Sequence, residues 1–159
     1  MKAIFAAVCD GPADFERWKL QSWGLTCLAW DVDELWYVDD CKGDERLGEV
    51  QFHERRLKAR EIPSLEVALL GAHERGLHLV CVEGPLKLRT DAFELRVYQH
   101  RTEALYLFGG DRSAGLGSVP GLAKVEADWL IVPARRGVYG YMIAPIVAQH
   151  RAQQAMRLR

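Results

Sequence analysis

With 159 residues, 49% of them apolar and 27% charged, the chain is long enough for one sizeable core and too ordinary in composition for a disordered or fibrous protein. The formal net charge of −1 is unevenly spread: residues 1–45 hold ten acids against four Lys or Arg, residues 46–60 five basic residues against two Glu, and residues 133–159 five Arg and no acid. An overall neutral protein with such patches can meet a polyanion on one side, and for residues 46–60 a solvated helix face is the plainer reading.

No apolar stretch approaches the roughly 18 residues of a membrane span. No signal-type cleavage region follows Met1 and Lys2. A cytoplasmic protein, one domain over 1–159 with no membrane partner, is therefore expected. Cys9, Cys27, Cys41 and Cys81 form no CxxC pair, and His53, His73, His78, His100 and His150 form no HxH or HExxH arrangement. The cysteines read as small core residues in a reducing compartment, and no metal site is expected.

In chain order, residues 3–8 (AIFAAV) read as a central strand ended by Asp10-Gly11-Pro12. Asp14 can cap a helix in which Phe15, Trp18 and Trp23 recur and which Gly24 ends; residues 25–30 then read as a second buried strand. Around Leu35-Trp36-Tyr37-Val38, seven acids between Asp31 and Glu45 suggest an edge strand protected by charge, with a carboxylate metal site as the lesser reading. Residues 47–60 form an amphipathic basic segment broken by Pro63. Ser64 caps a clearer helix with Leu65, Ala68, Leu69 and Ala72 on one face, ended by Gly76.

Residues 77–82 form another buried strand, and Asp91 with Glu94 makes a capping-box-like start for a short helix. Strands at 104–108 and 129–132 follow, then a last helix from about Met142 to Met156. Pro145 is tolerable there only in the first turn, so that helix should begin close to residues 140–142. Five buried strands alternating with helices predict an α/β fold in three layers, a mainly parallel sheet flanked by helices.

Two strand exits stand out. Phe108 runs into Gly109, Gly110, Asp111, Arg112, Ser113, Ala114, Gly115, Leu116 and Gly117, and residues 129–132 stop at Pro133 before Arg135, Arg136 and Gly137. Four glycines let a backbone approach a ligand closely and point N–H groups at it. Two such exits can build one crevice at the carboxyl edge of a sheet. No Gly-Lys-Ser/Thr follows the glycines, and GxGxxG is absent from the first strand-to-helix turn, so nucleotide triphosphates and nicotinamide cofactors are disfavoured. The GxSxG elbow of a hydrolase is missing too.

The order FGG-DRSAGLG, then ADWLIVPARRG, then a small-residue helix resembles the second and third motifs of the SpoU-like (TrmH/TrmL-type) RNA 2′-O-ribose methyltransferases of the SPOUT superfamily. AVCDGP and the helix ending at Gly24 extend the likeness to the front half. The resemblance implies the SPOUT α/β-knot, a deep trefoil knot near the C-terminus, with S-adenosylmethionine as cofactor, RNA (tRNA or rRNA) as partner and a homodimer as the working form. It places cofactor contacts at Gly109, Val132 and Gly140, with Val82 and Glu83 walling the pocket. Met142, Ile146 and Val147 become interface candidates, with core packing at least as plausible.

The motifs keep their shape and change their chemistry. Six residues before Gly24, where the resemblance assigns an Arg to the ribose hydroxyl, stands Trp18, with Arg17 beside it; the Asn position falls on Pro12. The acid of the second motif is Asp111 if the loop carries one extra residue, and Gly140-Tyr141-Met142 replaces the Ser and Asn of the third. Arg17 and Tyr141 are accordingly the catalytic candidates, and Arg55, Arg56, Lys58, Arg135 and Arg136 the RNA-binding ones. Three readings follow: an RNA ribose methyltransferase, an inactive cofactor- or RNA-binding module of the same fold, and an enzyme using the same cofactor on a different small substrate.

Overall fold

The computed structural model describes residues 2–9, 17–39, 57–83, 91–109, 116, 119, 121–132 and 140–158, without the side chains of Arg17, Asp39 and Ala123. Its strands are β1 (Lys2–Cys9), β2 (Glu34–Asp39), β3 (Lys58–Ile62), β4 (His78–Glu83), β5 (Phe93–Glu94), β6 (Glu103–Gly109) and β7 (Asp128–Ile131). They form one seven-stranded sheet in the order β3-β2-β1-β6-β4-β7-β5, and every pairing is parallel.

The near-continuous apolar run of β1 is what burial on both faces of a parallel sheet demands. Strand alternation sends Ala3, Phe5, Ala7 and Cys9 to one face and Ile4, Ala6 and Val8 to the other. Helices α1 (Arg17–Ala29) and α3 (Gly140–Arg157) cover the first face through Leu20, Trp23, Cys27, Ile143, Ala144 and Val147. On the second lie α2 (Leu65–Glu74) and the 3-10 turn Leu122–Lys124, through Leu65, Ala68, Ala72 and Leu122. This is the expected three-layer arrangement. Phe5 packs between Tyr106 and Phe108 at centroid distances of 5.3 and 4.9 Å, and Trp23 meets Phe108 at 5.3 Å, so one aromatic column ties β1, β6 and α1 together.

Several local expectations need correction. Residues 25–30 are not a strand: α1 runs through Gly24 to Ala29. A helical glycine costs about 1 kcal/mol against alanine, but Leu20, Trp23 and Cys27 bury one continuous stripe across it, whereas Leu25 is exposed. The helix ends instead at Asp31, in the left-handed region at φ 53°, with the Val32 N–H donating to the Cys27 carbonyl at 2.9 Å. The strand around residues 35–38 is not at the edge: β2 lies between β1 and β3, with Leu35, Trp36, Tyr37 and Val38 all buried. Of the acids around it, Asp33 accepts the Ala3 N–H at 2.7 Å and Glu34 faces inward.

The edge on this side is β3, drawn from the segment read as amphipathic and basic, of which residues 47–56 lie outside the described residues. Asp91 and Glu94 do not open a helix. Phe93 and Glu94 pair with β7 as β5, and only the single 3-10 turn Leu95–Val97 follows, without a side-chain cap. Pro145 lies in the second turn of α3 and not the first, removing one bond to the Tyr141 carbonyl. The Ser64 cap and Gly76 stop of α2 are as expected, with the Val67 N–H donating to Ser64 Oγ at 3.2 Å and Gly76 at φ 64°. Cys9, Cys27 and Cys81 are buried and form no disulfide. No helix among the described residues is long and apolar enough to cross a membrane. The knot implied by the resemblance depends on residues 110–115 and 133–139, which lie outside the described residues.

A polar relay holds the second half of α3. Tyr106 Oη lies 2.6 Å from His100 Nδ1 and His100 Nε2 lies 2.9 Å from His150 Nδ1, with Arg151 beside the Tyr106 hydroxyl and the Arg96 backbone beside the His150 ring. Burial lowers the pKa of both imidazoles, which favours their neutral forms.

Candidate functional site

Parallel pairing delivers the carboxyl ends of β1, β4, β6 and β7 to one edge of the sheet. There the order β6-β4-β7 sets strand ends side by side, with Val82 opposite Phe108 and Leu130, and Glu83 opposite Ile131. One residue beyond β7, the Val132 N–H donates to the Glu83 carbonyl at 3.0 Å. Val82, Glu83 and Val132 are all buried.

Gly140, the first residue of α3, closes this edge. A Cβ built on it would stand 2.0 Å from the Gly109 carbonyl oxygen and 3.1 Å from Phe108 Cβ, so the helix start is seated on the end of β6. Gly109 itself has room, since a Cβ there would meet nothing nearer than Leu116 Cγ at 4.0 Å. The five residues expected to hold a cofactor, Val82, Glu83, Gly109, Val132 and Gly140, thus gather on neighbouring strand ends and the helix start above them. A crevice outside the carboxyl ends of a parallel sheet is where such folds take ligands.

Beside this patch the starts of α1 and α3 meet. Trp18 packs edge-on against Tyr141, with ring centroids 5.2 Å apart. The Lys19 ammonium lies 5.4 Å from the Trp18 ring and 5.9 Å from the Tyr141 ring, and Lys19 is only 5% exposed. The catalytic candidates Arg17 and Tyr141 are accordingly carried on adjoining helix starts; the Arg17 side chain is outside the described part. Lys19 is not among the residues the sequence motifs single out. Its signal was helical spacing, since it stands four residues before Trp23 and seven before Thr26, both buried.

Of the RNA-binding candidates, Arg55, Arg56, Arg135 and Arg136 lie outside the described residues, as does Asp111. Lys58 opens β3, in register with Glu34 at the start of β2, and so stands at the amino edge of the sheet, opposite the crevice. Val147 is fully buried and belongs to the core, whereas Met142 and Ile146 are exposed on α3.

No family model matches this chain, and no curated protein does. Solved structures do. AviRb, a SpoU methyltransferase from Streptomyces viridochromogenes solved in complex with AdoMet, superposes with a TM-score of 0.71 at 13% identity over 97% of this chain and 57% of its own. The TrmH/SpoU tRNA modifying enzyme of A. aeolicus has a TM-score of 0.71 at 16% identity, over 98% of this chain and 76% of that one. An rRNA methyltransferase from Sinorhizobium meliloti has a TM-score of 0.68 at 13% identity, over 96% and 56%. The chain therefore has the fold of the SpoU/TrmH methyltransferases, and it spans less than two thirds of the length of the first and third of these proteins.

Proposed function

We propose that this chain is an S-adenosylmethionine-dependent RNA methyltransferase domain, acting on a ribose 2′-hydroxyl of tRNA or rRNA as a homodimer. The observation that carries the reading is the seating of Gly140 on the Gly109 carbonyl beside the Val132–Glu83 bond. It sets the start of α3 on the carboxyl ends of neighbouring strands, on a fold of which AviRb was solved with AdoMet.

The residues present suit such a cofactor. Gly109 leaves the backbone open to close approach, and buried Val82 and Val132 make the strand ends beside it apolar. Bound S-adenosylmethionine supplies an electrophilic methyl group. An acceptor hydroxyl must be held in line with it and must lose its proton as the new C–O bond forms and the C–S bond breaks. Arg17 and Tyr141, on helix starts that meet beside the crevice, are the residues proposed to orient the ribose and ease that loss. Exposed Met142 and Ile146, one turn apart on α3, are proposed to face a second copy.

One observation favours the alternative of a binding module without turnover: Trp18, at the position where the resemblance assigns an Arg, is engaged edge-on with Tyr141. Titration calorimetry with S-adenosylmethionine and S-adenosylhomocysteine decides first. Micromolar binding, weakened at least about tenfold in Gly109→Leu, is expected, and no binding to either compound overturns both cofactor readings. Labelled methyl transfer to tRNA and rRNA then separates them: turnover lost in Arg17→Ala with cofactor affinity kept supports the enzyme, whereas binding without turnover supports the module.

A further inference from the structure

We propose that Lys2, Lys58, Arg60 and Arg75 form a docking site for RNA backbone phosphates at the amino edge of the sheet, remote from the crevice. Glu34, only 3% exposed, lies at their centre. Its carboxylate accepts Trp36 Nε1 at 3.0 Å and Arg75 Nη1 at 3.2 and 3.3 Å. Lys2 Nζ, Lys58 Nζ and Arg60 Nε stand 3.4, 3.6 and 3.8 Å from the same two oxygens. Burial alone would raise the Glu34 pKa; the Trp36 hydrogen bond and the charges of Arg75 and Lys58 outweigh it and hold the carboxyl below its usual range.

Four cations thus share one carboxylate, an excess of three positive charges in one cluster. Among the described residues no other acid pairs with any of them, including Glu103, which lies in register with Lys2. Between 31% and 53% of each cationic side chain remains exposed, so their other N–H groups are open to a second anion. Arg75 is also held over the Trp36 ring at 5.3 Å, which spares it much of the entropy cost of ordering. Protection of an edge strand accounts for Lys58 and Arg60 on β3. It does not account for Lys2, which arrives from β1, or Arg75, which arrives from the end of α2.

A polyanion long enough to lie across this cluster and also reach the crevice must span the length of a strand, about 20 Å for seven residues. A structured RNA does so, and its phosphates are suited to a cluster of Lys and Arg donors. The inference rests on the preceding reading for its choice of RNA, but it concerns binding alone and is tested without cofactor.

The experiment is fluorescence anisotropy of a labelled tRNA transcript titrated with the full chain between about 50 and 200 mM salt. Lys58→Gln with Arg60→Gln should weaken binding and lower the salt slope by about 1.5 to 2. A control of equal charge loss, Arg96→Gln with Lys124→Gln, should leave the slope unchanged, and Glu34→Gln should tighten binding several-fold. Should Glu34→Gln fail to fold, half-exposed Lys2→Gln carries the test, with an expected slope loss near 1. An unchanged slope in the Lys58/Arg60 variant, equal losses in the control, or no binding by the parent chain would each overturn the site. Cofactor calorimetry, run separately, still judges the methyltransferase reading.

Discussion

Gly140 rests on the carbonyl of Gly109 so closely that a side chain of even one carbon would stand 2.0 Å from that oxygen. The contact makes the start of α3 and the end of β6 one rigid corner. Its two partners are unequal, because Gly140 has no room for a Cβ and Gly109 does.

That inequality sets a first expectation. Gly140→Ala should force the helix start off the strand, cost about 1–3 kcal/mol as overpacking does, and weaken S-adenosylmethionine binding. Gly109→Ala should cost little stability. Urea denaturation of both variants checks this, and equal stability losses would show that the corner is not as tight as described.

Tyr141→Phe keeps the ring that meets Trp18 and removes only the hydroxyl. Cofactor affinity and stability should stay near parental values while methyl transfer falls by at least about a hundredfold, the low end of what a positioned proton-transfer group contributes. Unchanged transfer would take the hydroxyl out of the mechanism and leave Tyr141 as packing. By contrast Lys19→Met, which removes the ammonium above both rings, should destabilise the fold by about 0.5–2 kcal/mol.

The relay through His100 makes stability depend on pH. Burial, then the nearby His150 and Arg151, lower the His100 pKa from 6.5 to about 3 in the folded chain, and burial lowers that of His150 as well. The unfolded chain therefore binds protons that the folded chain refuses. Stability from these groups is complete above pH 6.5 and is lost as the pH falls toward 3. Asp128 and Glu34, also lowered, act in the same direction but only below about pH 4.5. Between pH 6.5 and 4.5 chemical denaturation should thus show stability falling by up to about 1.4 kcal/mol per pH unit for each proton. His100→Gln should flatten the slope, and a parental slope in that variant would refute the assignment.

The layered α/β plan, the core of β1 and β6 and the caps of α2 were legible in the residues because each rests on local periodicity or on a turn residue. The acidic segment around Glu34 and the basic one around Lys58 were misread for a common reason. Charge in sequence looks like solvent exposure until topology sets β2 inside the sheet and β3 at its edge, where Glu34 becomes the buried partner of cations from β1, β3 and α2. Likewise Gly24 reads as a helix stop, since its local cost is real, and only packing of Trp23 and Cys27 against the sheet outweighs it.

By itself the sequence determined that β1, β4 and β6 must be buried and where α2 begins and ends, since those follow from near-continuous apolar runs and from Ser64 and Gly76. Tertiary structure alone decided that Gly109, Glu83, Val132 and Gly140 share one edge, because their proximity is made by strand order and parallel pairing between residues far apart in the chain. It alone also decided that Lys19 is buried and Lys58 faces away from the crevice, since the fate of a charge depends on which surfaces the fold brings against it.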